Sequence, residues 1–290
     1  MKRSILIVAF VLCLGLLLMG CDKGQEVPTS EEILFSNLVE ESVQEEVAGL
    51  MDRAGISKTR QDVFFNHVDQ FNDTVSRKSL TNEYEVAGIL DLKYDPYDMQ
   101  DEWMKEYPYF LGYNCRITAF GLYGDFMNIP LGGEVRDSAI LMDLSTLEED
   151  SAAVSVVKGD LERFKILYST IPTEETKDIA FHVNKVQEDW ENRGIGFLEN
   201  ETASLITVWF HDQIEEDYLF IGHVGVLFET EGGLYFVEKL AFQEPYQVTK
   251  FSIREELNNY MMTKYDISED QPTAAPFIME NDQLMVGYSQ

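Results

Sequence analysis

Thiols are scarce in this 290-residue chain. It has three cysteines, and two of them, Cys13 and Cys21, fall within the first 21 residues. Cys115 is therefore the only thiol of the body, which rules out a disulfide framework there. Cations are scarce as well. Lysine and arginine together number 22 against 52 acidic residues, a formal charge of −30. So acidic a surface is a poor partner for phosphate backbones and anionic headgroups, which excludes nucleic acid and charge-driven membrane attachment. Histidine occurs four times, at His67, His182, His211 and His223. A metal site built from His67, His182 and His211 lacks any pair at ligand spacing, so no metal and no cofactor is expected. The one long apolar run, Ser4 to Met19, is too short and too early for a stable membrane span. Internal repeats and low-complexity tracts are absent, and no second domain is marked.

The N-terminus is the first positive feature. Lys2 and Arg3 precede the apolar run, which ends Leu18-Met-Gly-Cys21. The pattern resembles a bacterial lipoprotein signal, in which the cut falls before the cysteine and the cysteine is acylated. The resemblance implies a signal peptide at 1–20, a lipidated Cys21 with its polar spacer at 21–30, and a single α+β domain at 31–290. The alternative is a plain secretory signal carrying a chance cysteine. As a lipoprotein the chain sits on the extracytoplasmic face of the cell membrane. Loss of Lys2 and Arg3 leaves 20 basic residues against 52 acidic ones, a formal charge of −32. Acyl chains must then hold it, and stable anchoring takes more than one chain. No oligomeric state is implied.

Along the body, helical periodicity comes first. Ser30 can cap a helix with Phe35, Val39, Val43, Val47 and Leu50 inward and Gly55 at its end. A second helix follows Ser57, with Val63, Phe64, Val68 and Phe71 inward and His67 between them as a boundary residue. Residues 80–112 read as extended and irregular. Asp91, Asp95, Asp98 and Asp101 cluster there, but the spacing lacks the glycine and alternating oxygens of a calcium loop, so a solvated acidic loop is expected. The aromatic residues from Trp103 to Tyr113 suit either the wall of a cleft or a plain core. Ala139–Met142 reads as a short strand, Leu147–Tyr168 as mainly helical, and Thr173 as the start of a helix that stops at Gly194. His182 sits beside that helix's apolar face and reads as a core residue.

From residue 203 the period becomes that of strands: 205–210, 218–228 and 234–242, with Thr230-Glu-Gly-Gly233 as a hairpin loop. A helix over 252–263 and a hairpin around Asn281-Asp282 follow. Helices first and an antiparallel meander after give an α+β fold.

The chemistry centres on Tyr113-Asn-Cys-Arg-Ile-Thr-Ala-Phe120. Asn114 is a good N-cap, which puts Cys115 in a helix's first turn, where the free N–H groups favour a thiolate. The same position suits a buried structural cysteine. Symmetric closure of the 230–233 loop pairs Glu229 with Leu234. Side-chain alternation then projects His223 and Glu238 from one sheet face as diagonal neighbours, with Gly225 leaving space beside them. An exposed strand face is the alternative, and a one-residue slip would separate the pair.

Asn-Cys at a helix start, Gly222-His-Val-Gly-Val226 on a strand and Phe236-Val-Glu238 on the next resemble the papain-like cell-wall amidase and peptidase superfamily. That resemblance implies a Cys-bearing helix packed on a C-terminal antiparallel sheet. It implies Cys115 as nucleophile, His223 as general base and Glu238 as orienting group, with Gln243 as a competing orienter that would need a bulge. Tyr109 replaces the glutamine six residues before the nucleophile and is the oxyanion candidate beside the Cys115 backbone N–H. The whole chain also resembles a functionally uncharacterised family of Gram-positive lipoproteins, through Asn114-Cys-Arg-Ile-Thr-Ala-Phe120 and Phe65-Asn-His-Val-Asp-Gln-Phe-Asn72. Two functions follow. One is a lipid-anchored cysteine hydrolase that cleaves an amide or peptide bond, with cell-wall peptide as substrate. The other is a non-catalytic extracytoplasmic lipoprotein that binds a ligand, with Cys115 in its core.

Overall fold

In the computed structural model the described residues are 31–91, 93–214, 216–267 and 270–290. The expected signal peptide and the anchor Cys21 lie outside them. The fold is α+β, built around one antiparallel sheet.

The chain opens with strand β1 (Glu32–Ser36), helices α1 (Glu41–Ala54) and α2 (Lys58–Thr74), and strand β2 (Glu85–Gly88). Helices α3 (Pro96–Glu106) and α4 (Cys115–Tyr123) follow, then the short strand β3 (Met127–Asn128) and helices α5 (Leu141–Glu149) and α6 (Asp160–Leu167). After β4 (Ile171–Pro172), α7 (Ile179–Arg193) and β5 (Gly196–Phe197) come the long strands β6 (Ala203–Asp212), β7 (Tyr218–Thr230), β8 (Gly233–Lys239) and β9 (Tyr246–Phe251). Helix α8 (Arg254–Tyr265) and the hairpin β10 (Phe277–Glu280) and β11 (Gln283–Leu284) complete the chain. The main sheet runs β11-β10-β6-β7-β8-β9-β1-β2, with β4 added to β7. None of the described helices is long and apolar enough to cross a membrane.

Two apolar layers cover the sheet. One holds α1, α2, α4 and α7 residues with Val224, Val226 and Phe228 of β7. The other holds Leu257, Tyr260 and Met261 of α8 with Leu227 and Phe236. Strand alternation explains the division, since neighbours along β7 point to opposite faces.

Several expectations are corrected. The helix expected from Ser30 begins only at Glu41. Ile33 and Phe35 alternate inward as β1, which pairs with β9 more than 200 residues away. A three-to-four spacing and a two-residue alternation coincide over so short a run, and non-local pairing decided between them. The irregular 80–112 segment contains α3. Asp95 caps it by accepting from the Tyr97 N–H at 2.8 Å, and Pro96 follows at the first helical position. That Asp-Pro pair was a readable start signal. Residues 139–142 are helical rather than a strand. The expected helix at 147–168 is broken between α5 and α6, and α7 is capped by Asp178 rather than Thr173. Trp103, Tyr107, Phe110 and Tyr113 pack on one another at tilted and edge-on angles, with Trp103 and Tyr113 in the core and Tyr107 also lining a cavity between α2 and α3 that Cys115 does not line.

Candidate active site

Helix α4 starts as the sequence suggests. The Asn114 side chain accepts from the Ile117 N–H at 3.0 Å, and Cys115 is the first helical residue. The cap is itself held, because Asn114 Nδ2 donates to Asp143 Oδ1 at 2.9 Å. Arg116 clamps the same carboxylate through Nε (2.8 Å) and Nη2 (2.7 Å), and its Nη1 donates to the Ile221 carbonyl at 3.0 Å. The helix start is thereby tied to β7 two residues before His223.

The hairpin register places the imidazole. Glu229 pairs with Leu234 and Val226 with Val237, so the symmetric closure is observed. On its other side β7 carries a bulge. Val208 pairs with His223 and Trp209 with Ile221, which leaves Gly222 as the extra residue. A Cβ on Gly222 would stand 2.2 Å from the Phe210 ring. Gly225 does not open a space beside the pair, as the sequence suggested. Its missing Cβ is filled by the Phe236 ring, 2.4 Å from where that atom would be.

His223 Nε2 lies 2.6 Å from Glu238 Oε2. Glu238 Oε1 accepts from the Tyr260 hydroxyl, also at 2.6 Å. That hydroxyl in turn accepts from Gln247 Nε2 (3.1 Å) and Lys264 Nζ (3.2 Å). Tyr265 stacks on the His223 ring, with centroids 5.0 Å apart and planes at 27°. With Nε2 engaged by Glu238, Nδ1 is the nitrogen left for the thiol. Cys115 belongs to the apolar layer of α4, whereas the partners of His223 come from α8 on the opposite layer. The thiol and the imidazole interact through charge and a hydrogen bond.

The electrostatics follow from this geometry. Burial pushes the Cys115 thiol up, but the charge and hydrogen bond of His223, helped by Arg116, leave it below its ordinary value. Burial pushes His223 down, yet Cys115 and Glu238 together raise it to about 9. Burial pushes Glu238 up, while His223, Lys264 and Tyr260 hold it below the ordinary carboxylate range. Each of the three shifts favours the charged form of its group. All three are enclosed: Cys115 is 5 % exposed, His223 2 % and Glu238 1 %.

Tyr109 does not join them. It is 92 % exposed on the loop after α3, whereas Cys115 is 5 % exposed. The competing orienter Gln243 lies in the turn between β8 and β9, and the bond to His223 is made by Glu238. His182 and His211 stand 4.7 Å apart, but their ring nitrogens are taken by Thr173, Thr176, Asp217 and the Ala274 N–H. No group of three or more metal-ligating side chains occurs among the described residues. Asp95, from the acidic cluster, is spent on the α3 cap. A cavity of about 750 Å³ lies between α2 and α3 around Asp73, Glu102 and Lys105 and shares no residue with the Cys–His–Glu set.

Sequence reasoning missed Tyr260 and Tyr265, and it missed the Arg116–Asp143 clamp. The pair Tyr260 and Lys264 had a signal, since residues four apart share a helix face. The clamp had none, because Asp143 comes from a separate helix 27 residues on.

The chain belongs to the family described as a domain of unknown function, DUF4300, whose model matches residues 34–285. No curated protein and no solved structure matches it.

Proposed function

We propose that this protein is a cysteine hydrolase of papain-like logic, held by a lipid at Cys21 on the extracytoplasmic face of a membrane. The observation that carries the reading is the buried line of Cys115, His223 and Glu238, with the imidazole raised to about 9 and the thiol lowered. In the mechanism the Cys115 thiolate attacks a carbonyl carbon and forms a thioester. The His223 imidazolium gives its proton to the leaving amine. Neutral His223 then takes a proton from water, which hydrolyses the thioester. Glu238 fixes the tautomer and supports the imidazolium, and Tyr260 holds the carboxylate. The location makes cell-wall peptides the proposed substrate class, by analogy with the superfamily the motifs resemble.

The test is alkylation. At pH 6.5 an ordinary thiol is on the order of one per cent thiolate. Cys115 in the full chain should therefore react with iodoacetamide faster than an unactivated thiol, and His223→Ala should slow it by on the order of a hundredfold. Labelling only after denaturation would reject the enzyme. The slight exposure of the thiol favours a second reading, a non-catalytic lipoprotein that binds a ligand, and that result would support it. The anchor is tested separately. Cys21→Ala should block lipid-dependent processing and release the protein from membranes, and wild-type partitioning of that variant would refute the lipid.

A further inference from the structure

Tyr168 ends α6 as its C-cap and is 2 % exposed. Its hydroxyl has no hydrogen-bond partner among the described residues. Buried tyrosine hydroxyls ordinarily find one, so the exception asks for a reason. Tyr84 and Tyr246 carry similarly enclosed hydroxyls, but these interact with the side chains of Glu46 and Thr118. Tyr168 instead lies near enough to Cys115, Arg116 and Asp143 to interact with their charges.

Its place in the fold is fixed from two sides. Phe164 packs edge-on against Phe120 of α4, with centroids 5.6 Å apart. One turn further along α6 is Tyr168, and one turn back along α4 from Phe120 is Arg116, next to Cys115. Beyond Tyr168 the chain joins the sheet, where Ile171 pairs with Leu219 of β7, four residues before His223. Tyr168 thus ends a helix packed on α4 and leads into the strand paired with β7, near enough to Cys115 to interact with its charge. Arg116 cannot serve there as a free donor, because Asp143 and the Ile221 carbonyl occupy it.

We infer that Tyr168 is the side-chain donor of the oxyanion hole, the role the sequence assigned to Tyr109. The inference rests on the hydrolase reading. When the thiolate attacks, the C–S bond forms and the carbonyl π pair moves onto oxygen. That oxyanion accepts from the Tyr168 hydroxyl and from the Cys115 backbone N–H, which has no intrahelical acceptor at the first helical position. The pair then returns to re-form the carbonyl as the leaving group departs, and the tyrosine keeps its proton throughout. A hydroxyl whose partner exists only during reaction is left unpaired in the resting protein.

Two electrophiles separate this role from a structural one. p-Nitrophenyl acetate acylates a thiolate through a tetrahedral oxyanion and expels p-nitrophenolate. Iodoacetamide reacts by direct displacement of iodide and forms no oxyanion. In the full chain, Tyr168→Phe should slow acylation of Cys115 by roughly ten- to a hundredfold and leave the alkylation rate unchanged. If neither rate moves, the hydroxyl is structural and the assignment fails. If both fall together, Tyr168 acts on the thiolate or on the fold, and the assignment fails again. His223→Ala is the parallel arm. Should it slow neither reaction, the hydrolase reading falls and this inference with it. Should it slow both while Tyr168→Phe slows neither, only Tyr168 is dismissed.

Discussion

His223 is a buried imidazole and His67 a partly buried one, each with an acid nearby, yet the fold drives them in opposite directions. His223 is raised to about 9, against burial, by Cys115 and Glu238. His67 is lowered to about 4 because burial outweighs the charge of Asp150. The difference lies first in Cys115, which has no counterpart at His67, and then in the reach of each acid. Glu238 Oε2 is 2.6 Å from its imidazole, and the hydroxyl of Tyr260 supports the other oxygen. Asp150 Oδ2 is 3.9 Å from His67 and is already taken by the Tyr113 hydroxyl at 2.8 Å. The ring of Tyr113 meanwhile stacks on His67 with centroids 3.8 Å apart. Burial sets the default for an imidazole, and at His223 a thiol and a carboxylate, each hydrogen-bonded to the ring, reverse it.

The strongest way to break this contrast is Glu238→Gln. The amide keeps the shape and the Tyr260 contact but removes the charge. His223 should then titrate below its raised value, read from ring-proton shifts. Once a substrate is in hand, turnover should fall by roughly ten- to a thousandfold with the fold intact. A large loss in Gln243→Ala, with near-wild-type turnover in Glu238→Gln, would reassign the orienting group.

The next effect concerns stability at His67. Its folded value is depressed to about 4 from an ordinary 6.5. Below pH 6.5 the unfolded chain binds a proton that the folded chain refuses. Stability present above pH 6.5 is therefore lost as the pH falls towards 4, by about 1–3 kcal/mol. His67→Phe keeps the stack on Tyr113 and should flatten that part of the profile of melting temperature against pH. An unchanged acid slope would mean that His67 is solvated. The smallest effect should come from Asp150→Asn. With the acid 3.9 Å away and partly exposed, its loss should lower the His67 titration by less than Glu238→Gln lowers that of His223. An equal or larger shift would show that the short bond is not what separates the two sites.

Much of the His223 site could be read from the sequence because its determinants are local. The Asn114 cap acts within one turn. The 230–233 loop fixes the β7–β8 register, and alternation then puts His223 and Glu238 on one face. The first turn of α3 was local as well, and Asp95-Pro96 went unread. What was illegible depends on contacts distant in sequence. β1 is a strand because β9 lies beside it, and nothing within Glu32–Ser36 states that. Tyr109 satisfied a spacing rule, yet the loop that carries it turns outward.

The sequence by itself determined the α+β order, the hairpin register and the presence of a single thiol at a helix start. Each rests on short-range periodicity, capping or plain composition. Only the tertiary structure decided that this thiol interacts with an imidazole on β7 and that α8 holds the acid beside that imidazole. Tertiary contacts alone also set the Tyr260 hydroxyl on Glu238 and gave His223 and His67 opposite charge preferences. Those outcomes depend on desolvation and on hydrogen bonds of a few ångströms between residues far apart in the chain, and no spacing along the sequence encodes such distances.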